Sequence, residues 1–151
     1  MNVYLGCGGG FLVAVLWMDL MFDVLALRQR GDHDIPELDL ALVAAYYRRV
    51  TTTASPMGYL ISAVMAGMVG VLANQVLHDE ANRTVALASL ALCGVPISLA
   101  LGRIFPNAIR LGSRQDSIAE QSRLARSIGN AHLLCLAAMF SFVAVRLLAT
   151  T

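Results

Sequence analysis

The stretch Leu5-Gly-Cys-Gly-Gly-Gly10-Phe-Leu-Val-Ala-Val15-Leu-Trp-Met-Asp19-Leu-Met-Phe-Asp23-Val-Leu-Ala-Leu27 runs for 23 residues with only two charged side chains, Asp19 and Asp23. A bilayer's hydrocarbon core takes roughly 20 apolar residues to cross at about 1.5 Å each, so the segment reads as a membrane-spanning helix. Three further stretches, 57–77, 85–105 and 128–148, meet the same condition, giving four spans in a chain of 151 residues. Composition agrees: 58% of the chain is hydrophobic and 14% charged, against roughly 45–50% and about 25% in soluble domains. That balance excludes a disordered tail, a nucleic-acid-binding module, a disulfide-stapled miniprotein and a typical cytosolic enzyme. The expected fold is an all-α, single-domain, polytopic membrane four-helix bundle over residues 1–151.

Charge sets the orientation. All 11 basic residues are arginine, and 10 acids leave a net charge of +1, so no global field attracts an anionic partner. Arg28, Arg30, Arg48, Arg49, Arg103, Arg110, Arg114, Arg123 and Arg126 fall between spans one and two or three and four, whereas the middle connection holds only Arg83. By the positive-inside rule both arginine-rich connections are cytoplasmic and both termini lie outside, in a bacterial inner membrane. No basic residue precedes Arg28, so the first span lacks the charged start of a cleavable signal peptide and is expected to remain as an anchor.

The connections carry helices of their own. Asp34-Ile-Pro-Glu37 offers a cap, a first-turn proline and a capping-box acid. Leu38, Leu42, Ala45 and Tyr46 then recur at helical spacing, predicting an extra interfacial helix between spans one and two. Thr51-Thr-Thr-Ala-Ser55-Pro56 breaks it, with Ser55 capping and Pro56 opening the next helix. Phe105-Pro-Asn107 is expected to end the third span, which Pro96 kinks, and Asp116-Ser-Ile-Ala-Glu120 to cap a helix running unbroken into the fourth. Gly6, Gly10 and Ala14, like Ala66 and Gly70, recur every four residues. This small-xxx-small pattern serves helix packing inside the bundle or, alternatively, a homo-oligomer seam or larger membrane complex. Cys7, Cys93 and Cys135 and the membrane-depth methionines read as packing residues, with no metal site assigned. The loop residue His33, the outer turn His78-Asp-Glu-Ala-Asn82 and Arg146, which snorkels to the headgroups, carry no specific site signal.

Ionisable groups at membrane depth are the informative exceptions, because a charge costs about 2.5–3.5 kcal/mol at mid-helix. Asp19 and Asp23, four apart, share one face of the first helix, roughly 12 Å and 6 Å from Leu27. His132 lies about 6 Å into the fourth span, and Arg103 and Asn107 stand at similar or shallower depth at the end of the third. These five, bordered by Tyr46, Tyr47, Arg48 and Arg49, are the candidate site. One reading is structural: the aspartates pair with Arg103, Arg49 or Arg48, and His132 donates to a carboxylate or carbonyl. A second is catalytic: His132 and an aspartate exchange protons while Arg103 and Asn107 hold an oxyanion or enolate of a hydrophobic substrate from the inner leaflet. A third has the carboxylates move protons or ions or hold a divalent metal, although toward the outer face only Asn74, Ser89, Ser98 and Ser141 continue the path. No cofactor is indicated; the bilayer is the expected partner, and nucleic acid is not.

In Trp17-Met-Asp19-Leu-Met-Phe-Asp23, Tyr46-Tyr-Arg-Arg49, Phe105-Pro-Asn107-Ala-Ile-Arg110, Gln121-Ser-Arg-Leu-Ala-Arg126 and His132, the chain resembles small bacterial four-span integral membrane proteins that carry no assigned function. Over its whole length the layout is also similar to the anthrone-oxygenase-like group of four-span proteins, through Pro106, Asn107 and His132, without the aromatic residue close before the histidine. That similarity implies a cofactor-independent, oxygenase-like activity on a polycyclic phenol.

Overall fold

The computed structural model describes residues 3–28, 34–53, 55–79 and 83–149. Helices account for nearly all of them: α1 (Val3–Leu27), α2 (Glu37–Thr52), α3 (Ser55–His78), α4 (Arg83–Leu99), a π-helical turn (Ala100–Ile104), α5 (Phe105–Ser113) and α6 (Ile118–Leu148). Four segments are long and apolar enough to cross a membrane, Val3–Leu27, Pro56–His78, Arg83–Ser113 and Ile118–Leu148. The protein is therefore an all-α, multi-pass membrane bundle, with α2 as the additional helix between the first and second spans.

Two cores follow from the helix lengths. The segments Arg83–Ser113 and Ile118–Leu148 each have 31 residues, about 46 Å of helix where the hydrocarbon layer is about 30 Å thick. Their surplus turns project at the arginine-rich end and pack with α2. There Ile35, Leu40, Val43, Ala44, Tyr47, Ala108, Leu111, Leu124, Ala125 and Ile128 bury one another against Ala26 of α1. The second core lies between the spans, where Leu5, Leu12, Met68, Leu72, Cys93, Met139 and Phe142 meet. α6 is the central post, packing on α1, α4 and α5.

Local signals explain most boundaries. Ser117 caps α6 by accepting the Glu120 backbone N–H at 3.3 Å, and α6 then runs unbroken through the fourth span. Hydroxyls of Thr51 and Thr52 bond back to the Tyr47 and Arg48 carbonyls at 2.8 and 2.6 Å, closing α2. Asp34 does not cap α2 as expected: Pro36 is the cap residue, and no side chain bonds there. The entry is held instead by buried Ile35, whose N–H donates to Ser122 Oγ of α6 at 3.0 Å.

Four other expectations are corrected. The helical path does not stop at Phe105-Pro-Asn107 but continues to Ser113, where Arg114 turns left-handed with φ 55°. The π turn just before Pro106 resets the hydrogen-bond register, so the missing proline N–H starts a new α segment rather than breaking the rod. On α2, Leu38, Leu42 and Ala45 face outward, while Leu40, Val43, Ala44 and Tyr47 face the protein. Both stripes are apolar, so periodicity alone could not tell which one packs. The expected small-residue faces are likewise offset by one: Gly10, Ala14, Ala66 and Gly70 are exposed and Gly6 only half-buried. A Cβ at Gly9 would meet Val143 and Phe142 of α6 at 3.0 and 3.1 Å, and one at Gly67 would overlap Tyr4. Pro96 is buried inside α4, where Ser98 bonds back to the Gly94 carbonyl at 2.8 Å. Arg146 is buried rather than snorkelling outward (8% exposed). His33 and Asn82, and the Ser55 side chain expected to cap α3, lie outside the described residues.

Candidate functional site

Asp19 and Asp23 sit one turn apart on the face of α1 that turns toward α2 and α6, because helical neighbours four apart share a face. α2 supplies two consecutive phenols. The Tyr46 hydroxyl donates to Asp19 Oδ1, and the Tyr47 hydroxyl donates to Asp23 Oδ1 at 2.5 Å. α6 supplies an imidazole between the two acids: His132 Nδ1 lies 2.6 Å from Asp23 Oδ2, and Nε2 lies 3.9 Å from Asp19 Oδ2. The side chains therefore form one chain in the order Tyr46, Asp19, His132, Asp23, Tyr47, joining three elements.

Aromatic packing fixes this order. Phe22 of α1 stacks on Tyr46 with centroids 4.0 Å apart and planes at 9°. Tyr46 meets Tyr47 edge-on at 5.3 Å, and Tyr47 stacks loosely on His132 at 6.5 Å. The two ends differ in burial. Asp23 is 0% exposed and Tyr47 3%, whereas Tyr46 is half-buried and the Asp19 side chain 18% exposed. Burial, and then the charges of the facing aspartates, push both phenols well above their ordinary range, so both remain protonated donors at neutral pH.

The expected five-residue layer thus divides. Asp19, Asp23 and His132 come together. Arg103 and Asn107 do not join them but meet at Ser127 of α6, where Arg103 Nε and Asn107 Nδ2 donate to the same Oγ at 2.9 and 3.2 Å. Ser127 and His132 are five residues apart, about 140° around the α6 axis, so they serve different flanks. Nor, among the described residues, do arginines pair with the aspartates: Arg48 and Arg49 are exposed on α2, and phenols and imidazole take the place expected of guanidiniums. Tyr46 and Tyr47, read from sequence only as bordering the layer, are members of it, and Ser127 was not foreseen. The adjacent tyrosines on a short helix flanked by deep acids were the available signal for the first two. Among the described residues, no group of three His, Cys, Asp or Glu is arranged to hold a metal ion.

Fold and site together define a four-span α-helical membrane protein with a buried acid–imidazole–phenol hub. Comparison with family models, curated proteins and solved structures finds no match for the chain.

Proposed function

We propose that this is a small inner-membrane protein with a structural or accessory role, in which the hub clamps the interfacial helix α2 onto the spanning bundle. One observation carries the reading: each of the two acids of α1 is engaged by a donor from α2, and the imidazole of α6 stands between them. Apolar packing buries one face of the 16-residue helix α2, but its outward stripe is apolar too, so apolar surface alone does not specify how it sits. Directional bonds in a water-poor layer are what specify its position. Exchanging both phenols for phenylalanine in the vesicle-reconstituted protein tests this. The expected result is a lower melting temperature together with new proteolytic cleavage within α2; an unchanged melt and an intact α2 would overturn it.

The proposed orientation places the arginine-rich end in the cytoplasm and both termini outside. Arg48, Arg49, Arg103, Arg110, Arg114, Arg123 and Arg126 all belong to the elements that pack at that end, which supports it. A reporter fused to the C-terminus that is active in the cytoplasm would reverse it.

A second reading, a membrane enzyme moving protons on a hydrophobic substrate, is favoured by the unbonded 3.9 Å gap between His132 Nε2 and Asp19 on the less buried side of the hub. In the anthrone-oxygenase-like form of this reading, an anthrone supplied in vesicles drives dioxygen uptake that His132→Gln abolishes. Equal uptake by that variant removes the reading. The different partners of Asn107 and His132 mean that any such chemistry runs through the hub without the asparagine.

A further inference from the structure

We propose that Arg103, Asn107 and Ser127 form a second site, on the opposite flank of α6 from the hub, that binds the phosphate of an anionic phospholipid headgroup. The inference goes beyond the clamp reading and does not depend on it.

Several arginines at this end are held in ion pairs. Arg110 pairs with Asp116 and Glu120, Arg123 with Glu120, and Arg114 with Glu37. Arg103 has no such partner among the described residues. Its Nε donates to a neutral hydroxyl, so its charge is held in place without being cancelled. The same oxygen also accepts from Asn107. Two donors converging on Ser127 Oγ leave its own proton to be donated elsewhere. Arg carries five N–H donors and an Asn amide two, so the cluster keeps guanidinium N–H groups, one amide N–H and one hydroxyl in excess. No carboxylate or other acceptor among the described residues takes them. A set rich in donors and led by a guanidinium matches a tetrahedral oxyanion such as phosphate.

The surroundings point to a lipid rather than free phosphate. Arg103 stands in the π turn, none of whose residues is buried. Leu101 and Phe105, on either side of it, are 73% and 56% exposed. On α6, Asn130 is exposed about one turn beyond Ser127, and Leu133 and Leu134 nearly two turns beyond it. Exposed apolar side chains on both helices belong among acyl chains, which sets the polar trio at the level where headgroup phosphates lie. The π turn is what makes the cluster: an inserted register step at the end of a span re-aims side chains that an uninterrupted α-helix would place elsewhere.

Native mass spectrometry of the full-length protein in detergent tests the proposal, by titration with dioctanoyl phosphatidylglycerol, dioctanoylglycerol, which lacks the phosphate, and inorganic phosphate. The expected result is saturable binding of phosphatidylglycerol that exceeds binding of the other two, weakened about tenfold or more in Arg103→Gln. Ser127→Ala weakens it by a smaller factor, while Arg123→Gln, which alters a paired arginine nearby, leaves it unchanged. Equal binding of phosphatidylglycerol and dioctanoylglycerol would overturn the proposal. So would undiminished binding by both Arg103→Gln and Ser127→Ala. Inorganic phosphate that displaces the lipid at similar concentration would overturn the lipid assignment. Should Arg103→Gln not fold, Arg103→Lys and Ser127→Ala carry the test, since the lysine keeps the charge and loses the fork.

Discussion

Replacing Tyr47 with phenylalanine removes one oxygen and leaves every apolar contact of the ring in place. Its effect therefore isolates the hydroxyl that donates to Asp23 Oδ1 at 2.5 Å. Asp23 is fully buried at 0% exposure, so no water replaces the lost donor and one carboxylate oxygen is left without its hydrogen bond. Leaving a buried acceptor without its partner costs about 1–3 kcal/mol, and the full burial of Asp23 places this case at the upper end, about 3 kcal/mol. For a chain of this length that corresponds to a melting-temperature loss of about 6–12 °C. Tyr46→Phe is the internal comparison. Its partner Asp19 has a side chain 18% exposed, so solvent or a headgroup can take over the bond, and the cost is about 1 kcal/mol. Thermal unfolding in one detergent, followed by helical circular dichroism, measures both. An Asp23→Ala, Tyr47→Phe double-mutant cycle adds a coupling energy of about 2 kcal/mol if the pair acts as a unit. The reasoning is refuted if Tyr46→Phe costs as much as Tyr47→Phe, or if the cycle is additive.

Other predictions rest on separate features. Both hub phenols have pKa values raised above the ordinary 10.0, so their stabilising effect is whole below that value and is lost as pH rises past it, because the unfolded chain releases those protons first. Stability should therefore fall above pH 10, and less steeply in a Tyr46→Phe, Tyr47→Phe variant; tyrosinate absorbance should show two of the four tyrosines ionising only on unfolding. A Cβ at Gly112 would sit 2.9 Å from the Arg48 Cα at the crossing of α5 and α2, so Gly112→Ala should cost about 1–3 kcal/mol. Gly70→Ala, with nothing within 4 Å, should be neutral or stabilising by up to about 1 kcal/mol; a Gly112→Ala melt matching wild type would contradict the crossing. Cys7 is exposed whereas Cys93 and Cys135 are buried, so a membrane-permeant maleimide should label one thiol in the folded protein and three after denaturation.

Depth was legible in the sequence, and direction around a helix was not. The 1.5 Å rise placed Asp19, Asp23 and His132 in one layer, and a spacing of four put both acids on one face. The same arithmetic put Arg103 and Asn107 at a similar depth without saying which flank of α6 they would meet, and they belong to Ser127. In water, the apolar stripe of a helix identifies its packed side. In lipid that inference weakens, since the outward stripe is apolar too, and the misread faces have this cause in common. Leu38 and Leu42 point out while Leu40 and Val43 point in, and the run Gly8-Gly-Gly10 offers adjacent faces of which only Gly8 and Gly9 are buried. Aqueous signals stayed reliable where the chain leaves the bilayer, as at the Ser117–Glu120 cap.

The polar side chains flanking α6 sort by whether their bonding is complete. In the hub, every polar side chain has a partner on a neighbouring helix: Asp19 and Asp23 each receive a phenol, His132 Nδ1 bonds to Asp23, and Nε2 stands 3.9 Å from Asp19. A set partnered within the protein in a water-poor layer loses a directional bond whenever one member is removed, which is the behaviour of a clamp. At Ser127 the balance fails by design of residue type: a guanidinium, an amide and a hydroxyl meet with no acid among them. Such a surplus of donors is tolerable only where water or an anion completes it, and the exposed π turn is such a place. The two flanks therefore call for different substitutions. Closed-hub variants should register in stability and leave lipid binding intact. Arg103 and Ser127 variants should register in lipid binding with melts close to wild type, since an exposed Arg–Ser contact contributes little to folding. A variant set in which the two readouts moved together would mean that the flanks form one site, and the separation argued from the partners of Ser127 and His132 would be wrong.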